Sequence, residues 1–146
     1  MHDKRLTTRL IQYWESIKKD RTMPEIAWLN ASAIDDIWMH CFKLKVEPSG
    51  IDKALYYYDY MGSEIVQAYG KNLTGQTIHA ASKAFPGARI VSKVDSLLTN
   101  PVPLNEEGSF VNTQSKVVKF RSCIVPFGTE ENKLTHIIGG VSWKAF

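Results

Sequence analysis

The sequence predicts an α+β domain in which one five-stranded antiparallel sheet carries helices on one face. Three observations carry this. A single amphipathic helical segment opens the chain. Two strand-like runs separated by a turn follow it. After a mixed helical middle, three more strand-like runs close the chain. Strands grouped at both ends of a helical stretch, rather than alternating with helices, define an α+β layout rather than a parallel α/β one.

Thr7–Lys19 has the helical period. Leu6, Leu10, Tyr13, Trp14 and Ile17 recur at three- and four-residue steps, with charged residues on the other faces. Pro24 ends any continuation, because proline disfavours a helical residue before it. Asn30–Ile37 has room for one or two helical turns, capped by Asn30 or Ser32.

Trp38–Val46 alternates. Trp38, His40, Phe42, Leu44 and Val46 share one face, and Met39, Cys41, Lys43 and Lys45 the other, the pattern of a half-buried strand. Glu47–Gly50 reads as a turn, and the aromatic run from Ala54 to Met61 as the partner strand of an antiparallel hairpin. Ser63 is expected to cap a short helix through Tyr69, with Glu64 at its positive end and Ile65, Val66 and Tyr69 on its apolar side. Gly70 is placed to end that helix in a left-handed conformation, and Lys71–Gly75 to turn.

Ile78–Phe85 reads as a helix stopped by Pro86-Gly87. Ala88–Thr99 reads as another, with Ile90, Val91, Val94, Leu97 and Leu98 on one side and Asn100-Pro101 closing it. Pro103–Gly108 is expected to be a loop, and Ser109–Gln114, Val117–Phe127 and Leu134–Trp143 to be strands. Gly139-Gly140 inside the last of these signals a bulge or a close backbone approach.

Composition narrows the function classes. At 146 residues and 44% apolar content the chain suits one folded domain, residues 1–146. A net charge of +3 with no long basic run gives no argument for nucleic acid. No apolar run reaches membrane-span length and the first residues lack a signal-peptide core, so the expectation is a cytoplasmic protein that does not engage a membrane. Cys41 and Cys123 lie in apolar runs and read as buried thiols. His2, His40, His79 and His136 show no metal-site spacing, so no metal is expected. Nucleophile-elbow, phosphate-loop and zinc-protease motifs are absent, and Asp35-Asp36 and Glu106-Glu107 are adjacent in sequence rather than positioned as an acid–base pair; the chain is not expected to be an enzyme.

The element order resembles that of Per-Arnt-Sim (PAS) domains, and four segments resemble the single-domain PAS proteins common in alphaproteobacteria. A leading helix carries Tyr13-Trp14 and runs through Lys18, Lys19 and Arg21 to Pro24. A strand bears Tyr56, Tyr58 and Tyr60 before Gly62. Tyr69-Gly70 and Leu73-Thr74-Gly75 follow, and a late strand ends in Pro126-Phe127. Asp59 departs from the pattern, since these proteins often have Arg there.

The resemblance implies strand order 2-1-5-4-3, a flanking helix within residues 1–24 and a PAS core over 31–146. It implies a sensory or regulatory module without catalytic residues. On that layout Trp38, His40, Phe42, Tyr56, Tyr58, Tyr60, Phe120 and Ser122 face the helices. They would line a pocket for an unknown small molecule, or simply fill a packed core beneath a ligand-free adaptor for an unknown signalling protein. No other cofactor is implied. Leu73 stands where light sensors of the flavin–cysteine type carry their cysteine, which argues against that photochemistry. The stripe of Leu10, Tyr13, Trp14 and Ile17 must be covered, either by the chain's own sheet or across a two-fold axis in a homodimer; the homodimer is the expectation.

Overall fold

The computed structural model describes residues 5–84 and 93–146. The expected stop at Pro86-Gly87, the end of the preceding helix at Phe85, and Ile90 and Val91 lie outside the described residues, as does His2.

The chain opens with helix α1 (Leu6–Lys18). Single 3-10 turns at Ile26–Trp28 and Ala31–Ile34 follow, then the one-turn helix α2 (Asp35–Trp38). Strands β1 (Cys41–Gly50) and β2 (Lys53–Met61) form a hairpin. Helices α3 (Ser63–Tyr69) and α4 (Ile78–Ala84) and a 3-10 turn at Val94–Leu98 make the helical layer. Strands β3 (Leu104–Val111), β4 (Val117–Gly128) and β5 (Leu134–Ala145) complete one antiparallel sheet in the order β2-β1-β5-β4-β3. That is the PAS arrangement anticipated from the sequence.

Several boundaries differ from the sequence expectation, each for a local reason. Trp38 and His40 are not in a strand: Trp38 ends α2, whose acidic first turn suits Asp35 and Asp36, and β1 starts at Cys41. The hairpin turns at Ile51-Asp52 rather than at Glu47–Gly50. Asp52, the second loop residue, takes the left-handed region (φ 55°) that an aspartate tolerates, and Pro48 sits beside a register irregularity, where its missing N–H is tolerated. The N-cap of α3 is Gly62, so Ser63 is its first helical residue, while Gly70 takes the left-handed cap as expected (φ 83°). The loop expected over Pro103–Gly108 is instead the first half of β3, paired from Leu104↔Ile124 onward. Its Glu106-Glu107 pair reads as loop by composition, and only the partner strand makes it a strand. The β3–β4 turn is held by Asn112, whose Oδ1 accepts from the N–H groups of Gln114 and Lys116.

Two cores flank the sheet. On the inner side α3 and its neighbours cover Phe42, Leu44, Ile137 and Val141, with Ile65, Ala68, Tyr69, Leu73 and Leu97 from the helical layer. On the outer side α1 lies across β4 and β5, burying Leu10 and Trp14 over Cys41 and Cys123. Gly139 and Gly140 keep regular pairing, so they form no bulge. They are close approaches: a Cβ on Gly139 would collide with the Phe42 ring inside, and one on Gly140 with Leu6 and Leu10 outside. The small residue is what lets a ring cross one face and a helix cross the other.

Candidate functional site

The inner face is where the predicted pocket residues were expected to meet. β1 and β2 place Phe42, Leu44, Tyr56 and Tyr58 toward the helical layer, because paired positions alternate faces together. Phe42 and Tyr58 pack edge to face at 6.0 Å between centroids. The Tyr58 hydroxyl is fully buried, with the Tyr69 phenol at the end of α3 as its polar neighbour. Burial pushes the Tyr58 phenol up to about 12, opposed by the Tyr69 hydroxyl beside it. Tyr69 is held well above the ordinary tyrosine value, first by burial and then by Tyr58. Both phenols are therefore neutral hydrogen-bonding groups in an otherwise apolar layer. Tyr56 reaches further out, and its hydroxyl donates to Asp95 Oδ1 at 2.8 Å, tying β2 to the Val94–Leu98 turn.

The far half of the inner face is built by β3, β4 and β5. Phe120 is half-buried and tilts against Phe110 at 6.0 Å, and Phe110 meets Tyr69 edge-on at 5.8 Å. Ser122 is buried, its hydroxyl 3.5 Å from the Glu106 carbonyl. Trp143 pairs opposite Phe120, and its Nε1–H is buried with no acceptor among the described residues.

Three predicted pocket residues stand elsewhere. A β-bulge sets Asp59 and Tyr60 together opposite Lys43, so the alternation Tyr56, Tyr58, Tyr60 breaks and Tyr60 leaves the inner row. Tyr60 stacks on Trp38 at 4.8 Å and 10°, and its hydroxyl donates to the Trp38 carbonyl. This pair borders a surface hollow of about 630 Å³ with Met39 and Val66. His40 sits in the turn before β1, half-buried, and its carbonyl accepts from Val141 N–H. Asp59 forms an ion pair with Lys43 at 3.0 Å, directed away from the inner layer, so an Arg at this position would meet a lysine rather than the pocket.

Sequence reasoning missed Tyr69, Phe110 and Trp143 as members of the inner layer. Tyr69 was visible only as one apolar position of a short helix. Phe110 and Trp143 fall in line only when β3, β4 and β5 are in register. Among the described residues, no cluster of three or more His, Cys, Asp or Glu groups is positioned to hold a metal, and no helix is long and apolar enough to cross a membrane.

The helix stripe is also located. Leu10 and Trp14 are buried on the chain's own sheet, with Trp14 Nε1–H donating to the Pro126 carbonyl at 2.6 Å. Tyr13 and Ile17 are half-buried. The Tyr13 hydroxyl accepts from Asn30 N–H at 2.8 Å, holding the segment after α1 against the helix.

No family model matches this chain, and no curated protein does. Solved structures do. The Ile74Val variant of Vivid aligns over 92% of this chain and 93% of its own, at TM-score 0.52 and 10% identity. The Rhodobacter sphaeroides LOV protein aligns over 79% and 68%, at 0.51 and 8%. The PAS domain of Bordetella pertussis BvgS aligns over 74% and 77%, at 0.50 and 15%. At these identities the likeness is one of fold, and the fold is that of PAS and light-oxygen-voltage domains.

Proposed function

We propose that this protein is a sensory or regulatory PAS-type module that takes a small, largely apolar ligand between sheet and helices and reports its state through protein contacts. The observation that supports this most directly is the Tyr58–Tyr69 pair. Two neutral phenols stand in an aromatic and aliphatic layer, and on the same side of the sheet Trp143 offers a buried N–H that no described group accepts. An apolar wall with a few polar tips is the composition that binds and orients a small molecule. A buried donor without a partner is costly unless something accepts from it. Catalysis is no part of this reading.

A second reading is a ligand-free adaptor. It is favoured by how tightly the first half of the layer closes, since Phe42, Leu44, Tyr58, Tyr69 and Ile137 are all 0–1% exposed. Native mass spectrometry of freshly purified protein separates the two. A retained mass lost in Tyr58→Phe or Trp143→Phe supports the sensor; a bare chain across several preparations, with no ligand-induced rise in melting temperature from a small-molecule panel, supports the adaptor.

A further inference from the structure

Among the described residues, the outer face of the sheet is only half covered. α1 reaches its N-terminal end over Cys123 and Gly140, where Leu6 and Leu10 pack and the Cys123 thiol donates to the Thr7 carbonyl. Beyond that point β3, β4 and β5 continue with their outer side chains exposed. The strand register arranges those side chains in ranks.

Nearest the helix, Glu107 stands opposite Arg121, at 3.5 Å between charged atoms. In the next rank Lys119 stands directly opposite Lys144. In the last, Val111 stands opposite Val117, and Phe146 joins them through its N–H bond to the Val117 carbonyl. Val111, Val117 and Phe146 are 53%, 41% and 63% exposed, an apolar edge on an otherwise charged platform.

The Lys119–Lys144 pair is the informative element. Like charges facing each other across an antiparallel ladder destabilise the sheet. Among the described residues neither lysine has a carboxylate partner; both ammoniums instead lie over the one Phe146 ring, at 5.1 and 5.6 Å. Two cations gathered on one ring, one rank from the Arg121–Glu107 pair, concentrate positive charge that no carboxylate among the described residues balances. A groove of about 670 Å³ runs from this rank to the start of α1 at Arg5.

We propose that this platform docks an acidic, partly apolar segment of a protein partner. Carboxylates of the segment would lie over Lys119, Lys144 and Arg121 and relieve the repulsion between the lysines. Its apolar side chains would cover Val111, Val117 and Phe146. Three strands span about 10 Å across, the width of one extended or helical segment. Glu107 within the charged ranks disfavours a uniform polyanion such as nucleic acid, which needs an uninterrupted basic surface, and the apolar rank would gain nothing from phosphates. None of these side chains faces the inner layer, so the proposal is independent of whether a ligand binds there.

The test is fluorescence anisotropy on the full chain with a labelled peptide in which glutamates alternate with leucines. The controls are the same peptide with lysine for glutamate, a single-stranded oligonucleotide, and phosphatidylserine vesicles. The wild type should bind the acidic peptide, more weakly as salt rises. Lys119→Glu with Lys144→Glu should weaken it at least about tenfold, a difference well outside measurement error in a dissociation constant. Lys119→Gln with Lys144→Gln should weaken it less, and both variants should keep wild-type circular dichroism because the changed side chains are exposed. Failure of the wild type to bind the acidic peptide overturns the proposal. So does equal binding by the charge-reversed variant, or preferential capture of the oligonucleotide or the vesicles.

Discussion

The ring of Phe42 on β1 lies across the backbone of Gly139 on β5, at a separation that leaves no room for a side chain. The pairing Phe42↔Gly139 therefore sets how deeply the aromatic layer sinks onto the sheet. It also leaves Phe42 free to meet Tyr58 edge to face.

Gly139→Ala should accordingly destabilise, although alanine is normally better than glycine in a strand. The added methyl forces the Phe42 ring off its position, an overpacking cost of about 1–3 kcal/mol. Chemical denaturation measures it, and a companion Phe42→Leu change should recover part of the loss, because the smaller side chain makes room. An unchanged midpoint for Gly139→Ala would place Phe42 elsewhere.

Tyr58→Ala should cost about 3–5 kcal/mol as a deletion of a large buried side chain. A melting temperature equal to wild type would mean that Tyr58 lies on the surface.

The phenols also predict a pH dependence. Burial raises Tyr58 to about 12 and Tyr69 well above the ordinary value of 10.0. The unfolded chain loses these protons first as pH rises, so the native state binds more protons above pH 10. Stability from this source is complete below pH 10 and is lost as pH climbs from 10 toward 12 and beyond. Urea titrations at stepped pH should show the decline, and Tyr58→Phe should make it shallower.

Trp14 and Leu10 lie in the chain's own outer core. Leu10→Glu with Trp14→Glu should therefore unfold the domain or leave α1 detached, because two charges would be forced onto an apolar sheet face. Circular dichroism and light scattering together read the outcome. A double variant that stays fully folded while its molar mass halves would put the stripe at a subunit contact instead.

Cys41 and Cys123 both flank Gly140, one on each neighbouring strand. Two strand spacings amount to roughly 10 Å, which is beyond disulfide reach. Burial pushes Cys123 up to about 12 and Cys41 further still. Both thiols should resist alkylation at pH 8 in the native state and react together on denaturation, giving two labels by intact mass. One label, or none, on the denatured chain would show a bridge or a modified cysteine.

How far the sequence carried depends on the range of the interaction. It determined by itself the element order, the period of α1, the left-handed cap at Gly70 and the burial of both cysteines. These follow from side-chain alternation and backbone preferences within a few residues. The strand order came from a resemblance, and pairing in space supports it.

Only tertiary structure decided the rest. The bulge at Asp59 and Tyr60 removes Tyr60 from the inner row, and alternation read along one strand has no knowledge of the partner's register. Glu106-Glu107 read as loop until β4 paired with it. The Tyr58–Tyr69 meeting, and the facing of Lys119 and Lys144, join residues far apart or on different strands. Their energies depend on distances that the fold sets and local preference does not.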